Sequence, residues 1–131
     1  MKVAFVCVHN SCRSQMAEGY LRTLGKGRFE VYSAGTEDYP KVKEGAIEAM
    51  KLDGVDITDQ YPKTLEVLPR DLDMLITMGC GVECPYVPAK LREDWGIDDP
   101  SGQPMEAFIE ARDTIKAKVL QLIEDSKKGD N

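Results

Sequence analysis

The chain has no surplus of positive charge. Its 131 residues carry 17 Lys+Arg against 23 Asp+Glu, a net charge of −6 with the one histidine neutral. That balance, with a pI of about 4.8, argues against a general binder of nucleic acid or of anionic membranes. It leaves room for one small anion in a local site. Long hydrophobic runs are missing as well. The apolar stretch from Val3 to Val8 is ended by His9-Asn10-Ser11, too short for a signal segment or a membrane span. Internal repeats and linkers are also lacking. These absences lead us to expect one cytoplasmic domain over residues 1–131. A monomer is expected, with a polar tail that frays from about Asp125 to Asn131. A hydrophobic fraction of 42% and a charged fraction of 31% exclude a chain disordered throughout. A chain of this length buries roughly two-thirds of its unfolded surface and needs no disulfide or metal to fold. Its four cysteines are therefore more than scaffolding requires. In a reducing compartment they point to redox, nucleophilic or metal chemistry.

The apolar pattern alternates between two periods. Val3 to Val8 reads as a strand buried on both faces. Ala17, Tyr20, Leu21 and Leu24 recur at helical spacing, and Gly25 offers a stop. Phe29 to Ser33 reads as a second strand, Gly45 to Leu52 as a second helix, and Leu72 to Met78 as a third strand. Trp95 to Ile97 suggests a fourth strand. Phe108, Ala111, Ile115, Val119 and Leu122 define a long closing helix. Strands alternating with helices predict an α/β fold with a parallel sheet, whose ligands bind beyond the carboxyl ends of the strands.

Most of the chemical information lies in Cys7-Val8-His9-Asn10-Ser11-Cys12-Arg13-Ser14. Arg13 follows Cys7 by six positions, a Cys-x5-Arg spacing between a strand and a helix. Such a backbone can curl with several N–H groups pointing inward as an anion nest. The helix that follows adds the partial positive charge of its N-terminus. Arg13 can offer a planar fork to a tetrahedral oxyanion. The same field favours the thiolate form of Cys7, Ser14 can donate to that thiolate, and the Asn10 amide can tie the loop together. Cys12 fits either a reserve thiol or a residue packed beneath the loop. His9 fits either a shaper of specificity or a solvent-facing loop residue.

Cys80 and Cys84 form a Cys-x3-Cys pair in a loop that also holds Gly79 and Gly81. Two thiols this close can form a disulfide if the loop bends. The same spacing falls in the range of zinc ligands, with Cys7, Cys12 or His9 as further donors, although a second chelating pair is missing. Asp98-Asp99-Pro100 offers a carboxylic acid that can protonate a leaving oxygen. Asp-Pro is equally a common turn signal. The next residues, Ser101 and Gly102, supply no aromatic wall for an aryl substrate.

These segments, with Tyr32-Ser33-Ala34-Gly35, Ala46 to Met50 and Trp95 to Pro100, resemble the low-molecular-weight protein tyrosine phosphatase superfamily. The likeness is greater to the thioredoxin-coupled arsenate reductases built on that fold. The resemblance implies a three-layer fold with a four-stranded parallel sheet flanked by helices, and Cys7 as nucleophile toward arsenate, with phosphate or sulfate as analogues. It implies an anion loop made by Val8, His9, Asn10, Ser11, Cys12, Arg13 and Ser14, and Asp99 as the acid. It further implies a relay in which Cys80 attacks Cys7, and Cys84 then attacks Cys80. No tightly bound cofactor is implied. Reducing equivalents come from thioredoxin or a low-molecular-weight thiol, and the short Cys80–Cys84 spacing resembles a branch that includes users of the latter. Some members bind potassium near the loop, and Asn10, Glu18 and Ser33 match three positions of that site. Lys63 lies in the region that would supply a further carboxylate, so its ammonium is expected in the cation's place. A phosphatase working through a phosphocysteine on Cys7, and a non-catalytic zinc- or anion-binding module, stand as the alternatives.

Overall fold

The apolar run at the start of the chain becomes the central strand of a parallel sheet. In a computed structural model that describes residues 1–79 and 87–128, strand β1 spans Lys2–Cys7 and is buried from Val3 onward. Strand β2 (Glu30–Gly35) pairs along one side of it and β3 (Leu72–Thr77) along the other, both parallel. Strand β4 (Ala89–Asp94) adds to β3, which gives the order β2-β1-β3-β4. A strand with parallel neighbours on both sides and packing on both faces has no solvent-facing side chains. That is why β1 reads as a continuous apolar run.

The helices are α1 (Arg13–Leu24), α2 (Glu44–Leu52) and α3 (Met105–Lys128). Alternation along β1 divides its side chains between two cores. Val3, Phe5 and Cys7 join the larger one with Met16, Tyr20, Met50, Ile115 and Val119 of the helices. Ala4 and Val6 join Leu72, Leu75 and Val87 in a smaller one. That thinner outer layer is closed by Leu65 and Leu68 around a short 3-10 turn, Leu65–Val67. Among the described residues no helix is long and apolar enough to cross a membrane.

One expectation needs correction. The fourth strand is Ala89–Asp94, and Trp95 to Ile97 lie beyond it. Strand β4 is the sheet edge, exposed from Lys90 to Asp94, so its charged sequence lacks the alternation that marks a half-buried strand. Trp95 instead tilts against Phe5 with ring centroids 5.5 Å apart. Helix α3 continues as far as Lys128. Its turns are held by Gln121 Nε2 donating to Asp125 Oδ1 at 2.9 Å and Ser126 Oγ donating to the Ile123 carbonyl at 2.7 Å.

The register aligns the carboxyl ends of the strands. Cys7 lies opposite Gly35, Val6 opposite Thr77, and Thr77 opposite Asp94. From β1 the chain crosses to β2 on one side, and later returns to β3 on the other. The crevice where a parallel sheet takes its ligand therefore opens at the end of β1.

Candidate active site

Residues 8–12 leave the end of β1 and turn directly into α1, and the loop they form is fixed from several directions. Asn10 adopts a left-handed φ of 52°, a conformation that asparagine tolerates better than most residues. Its side chain is fully buried. Asn10 Oδ1 accepts from the Lys63 backbone N–H at 2.9 Å. A backbone N–H can only donate, so this contact fixes the orientation of the amide. Asn10 Nδ2 then donates to Ser14 Oγ at 2.7 Å. With its oxygen occupied in this way, the Ser14 hydroxyl directs its own hydrogen to Cys7 Sγ, 2.9 Å away. The chain Asn10–Ser14–Cys7 is thus polarised toward negative charge on the sulfur.

The segment between β2 and α2 supports the loop through its backbone. Thr36 N–H donates to the Cys7 carbonyl at 3.2 Å, Glu37 N–H to Val8 at 2.9 Å and Lys43 N–H to Ser11 at 2.7 Å. Gly35 is required here, because a Cβ at that position would lie 2.6 Å from the Val8 carbonyl oxygen and 2.9 Å from the Asn10 nitrogen.

Gln15 is a supporting residue that sequence reasoning missed. It is fully buried. Its Nε2 reaches the Asn10 carbonyl at 2.8 Å, Asn10 Oδ1 at 3.0 Å and the Tyr61 carbonyl at 2.9 Å. Its Oε1 accepts from Gln60 Nε2 at 2.8 Å. No local signal marks it, since most of its partners lie outside the loop in sequence. Gln15→Ala orphans several buried groups, and we expect a loss of about 2 kcal/mol in chemical denaturation. Weaker phosphate binding should accompany it.

Arg13 opens α1 and is buried. The Arg13 Nη1 group donates to the Met78 carbonyl at 2.9 Å and to the Ile97 carbonyl at 2.7 Å. Any fork onto an oxyanion must therefore come from the Nε–Nη2 edge. Both carbonyls are presented by a close approach of two loops. Gly79 has a φ of +76°, and a Cβ there would lie 2.6 Å from the Gly96 Cα. The first turn of α1 contains no acidic residue, so its N-terminal N–H groups face no intrinsic counter-charge.

Asp99 lies at the edge of this arrangement, its Oδ2 3.8 Å from Arg13 Nη2. Asp99 Oδ1 accepts from the Ser101 backbone N–H at 3.0 Å and the Ser101 hydroxyl at 2.7 Å. The turn geometry and the proximity to Arg13 thus coexist in one residue. Burial acts to raise the Asp99 pKa. The hydrogen bonds from Ser101 and the charges of Arg13 and Lys43 outweigh it, so the carboxyl titrates below its usual range.

Cys12 is packed beneath the loop, 3% exposed. Burial, then the charges of Asp99 and Cys7, push its thiol up to about 12. It is a protonated core residue near neutral pH and is poorly suited as a reserve nucleophile. His9 stands at the rim, its Nε2 3.1 Å from Glu37 Oε2 and its ring stacked on Tyr39 at 4.7 Å. Among the described residues no three His, Cys, Asp or Glu side chains could hold a metal together. Cys80 and Cys84 lie outside the described residues.

Glu18 is in the second turn of α1 and buried. It accepts from the Ser33 hydroxyl through Oε1 and from Arg22 Nε through Oε2 at 2.9 Å. Lys63 Nζ lies 3.6 Å from Glu18 Oε1 and donates to the Tyr61 carbonyl at 2.7 Å. Burial lowers the Lys63 pKa, and the charge of Glu18 offsets part of that shift.

Comparison with known proteins identifies this arrangement. The model for the low-molecular-weight phosphotyrosine protein phosphatases matches residues 2–130. The chain belongs to that family. Within the family, the chain is 44% identical to the glutaredoxin arsenate reductase of Synechocystis, covering 93% of this chain and 95% of that protein. It is 38% identical to an arsenate reductase of Staphylococcus aureus, over 89% and 92% of the two chains. The solved structure of an arsenate reductase in the phosphate-binding state superposes with a TM-score of 0.87 at 43% identity, covering 95% and 97%. A phosphatase of the family from T. tengcongensis superposes with a TM-score of 0.80 at 28% identity, covering 95% and 99%.

Proposed function

We propose that the protein is an arsenate reductase that converts arsenate to arsenite through a relay of Cys7, Cys80 and Cys84. The observation that carries this reading is the Arg13–Met78 hydrogen bond. It ties the anion loop to the chain two residues before Cys80. The relay requires the Cys80–Cys84 pair to come within reach of Cys7, and in sequence Cys80 follows Met78 by two residues. A phosphatase needs only the loop. A reductase also needs two electrons, and the Cys80–Cys84 dithiol is a ready source of them.

The chemistry balances as follows. Arsenate enters the nest of N–H groups and the Nε–Nη2 edge of Arg13. The Cys7 thiolate, stabilised by Ser14, forms a bond to arsenic. A hydroxyl of the bound arsenate leaves as water, protonated by Asp99, which takes up a proton from solvent when the bound anion offsets its attraction to Arg13. The Cys80 thiolate then attacks Cys7 Sγ. The sulfur–sulfur bond forms, the sulfur–arsenic bond breaks, and its electron pair stays on arsenic, which departs as arsenite. Attack of Cys84 on Cys80 frees the Cys7 thiolate and leaves a Cys80–Cys84 disulfide. Thioredoxin or a low-molecular-weight thiol, delivered directly or through a glutaredoxin, reduces that disulfide. We place this chemistry in the reducing cytoplasm, in a single domain acting as a monomer, with no tightly bound cofactor.

The same loop binds phosphate, so slow aryl-phosphate hydrolysis is compatible with this function. The absence of aromatic residues after Asp99-Pro100 favours a small inorganic anion. Arsenite release in the presence of thioredoxin, thioredoxin reductase and NADPH, compared with glutathione and glutaredoxin, tests the reaction and its donor together. Stoichiometric zinc in the purified protein, lost on Cys80→Ala, would support the binding module instead.

A potassium ion does not fit beside Glu18, because Ser33, Arg22 and the Lys63 ammonium already satisfy its carboxylate. We therefore expect reduction rates to change by less than about twofold when potassium chloride replaces choline chloride at constant ionic strength. Activation of tenfold or more would contradict that assignment.

A further inference from the structure

The anion loop faces an electrostatic difficulty. The chain carries a net charge of −6, and Asp99 and Glu37 lie against Arg13 and His9 of the site. Arg13 has committed Nη1 to two carbonyls. A doubly charged oxyanion entering this site meets one partly engaged guanidinium and two carboxylates.

Lys43 stands where a second cation is needed. Its backbone N–H donates to the Ser11 carbonyl at 2.7 Å, which fixes its Cα directly against the loop. The ammonium donates to the Tyr39 hydroxyl and lies 4.6 Å from the centre of that ring. Tyr39 in turn stacks on His9, a residue of the loop itself, at 4.7 Å. His9 is held by Glu37 at 3.1 Å. The lysine ammonium is therefore held by Tyr39, which His9 buttresses in turn, and its charge is kept near the loop. Nearby Glu44 is exposed and faces Lys41 at 3.7 Å.

We propose that Lys43, braced by Tyr39 and His9, is the recruiting cation of this site and sets its preference for the more highly charged form of a small oxyanion. This deepens the anion-loop reading given above and rests on it. A lysine ammonium is a compact, strongly hydrated point charge, so it acts through its field and leaves the directional fork to Arg13. Its field reaches the chemistry, since the Lys43 charge helps lower Asp99 and acts on the Cys12 thiol. Tyr39 and Lys43 are close in sequence, but their segment, Tyr39-Pro40-Lys41-Val42-Lys43, reads as an ordinary turn. Only the fold brings it over the loop.

The test is direct binding of inorganic phosphate to the reduced, full-length protein by calorimetry. At about 0.01 M ionic strength, where the Debye length is about 30 Å, Lys43→Gln is expected to raise the Kd roughly five- to tenfold. At about 0.5 M salt the two proteins should converge to within about twofold, because the Lys43 field is then screened. Lys43→Arg should restore binding at low salt, and Tyr39→Phe should give an intermediate Kd with the charge retained. A purely structural brace would move the thermal midpoint without changing the salt slope. An unchanged Kd and salt slope in Lys43→Gln would overturn the proposal while leaving the anion loop intact. So would a Lys43→Arg variant as weak as Lys43→Gln. Failure of the unaltered protein to bind phosphate at all would overturn the anion-loop reading and this proposal with it.

Discussion

Cys7→Ser is expected to reduce arsenite formation at least about ten-thousandfold, because removing a nucleophile that acts in concert with its activating groups typically costs that much or more. The serine hydroxyl has a far higher pKa than a thiol, and Ser14 and the loop field cannot bring it into the reactive range. Cys12 cannot substitute. It lies beneath the loop, 3% exposed, with its thiol pushed up to about 12. Phosphate binding should survive. The N–H groups and Arg13 remain, and loss of a thiolate removes a like charge from the nest. We expect a Kd equal to that of the unaltered protein or lower. Retained binding with lost chemistry separates the nucleophile from the binding loop. Retained reduction in Cys7→Ser would remove Cys7 from the mechanism.

Cys84→Ser is expected to act at a different step. Arsenate still reacts with Cys7, and Cys80 still releases arsenite by attacking it. The enzyme should then stop with Cys7 and Cys80 joined. One equivalent of arsenite should appear at close to the normal rate, followed by a fall of about a hundredfold or more in steady turnover with the protein donor. Rapid quench of a single turnover and a steady-state assay on the same preparation distinguish the two phases. Full turnover in Cys84→Ser would show that the donor attacks the Cys7–Cys80 disulfide directly. Loss of the first turnover as well would mean that Cys84 has an earlier role.

The loop was legible because its chemistry is local. An apolar run stops at Cys7, a cation appears six residues later, and a helix begins, all within one stretch of chain. The expected order of strands and helices followed from periodicity for the same reason. Strand β4 was harder to read. As an edge strand exposed from Lys90 to Asp94, it pairs through its backbone, while its side chains carry no burial pattern. The residues that stiffen the loop were also invisible locally. Gln15 reaches Gln60 and Tyr61, and Asn10 is oriented by the backbone of Lys63. Arg13 turns to carbonyls at Met78 and Ile97. These contacts join segments 45 to 84 positions apart, and only the folded topology brings them together. Asp99 shows a further limit. Its sequence context fits a turn and an acid equally, and the fold gives it both a turn geometry and a position 3.8 Å from Arg13.

The central claim is that the Cys80–Cys84 pair supplies, through Cys7, the two electrons that reduce arsenate. Its most direct test is to mix fully reduced protein with one equivalent of arsenate in the absence of any donor, quench with an alkylating reagent, and map the cysteines by mass spectrometry. The relay predicts a Cys80–Cys84 disulfide, alkylated Cys7 and Cys12, and one arsenite per disulfide formed. Four alkylated cysteines with no arsenite, or a disulfide that leaves out both Cys80 and Cys84, would contradict it.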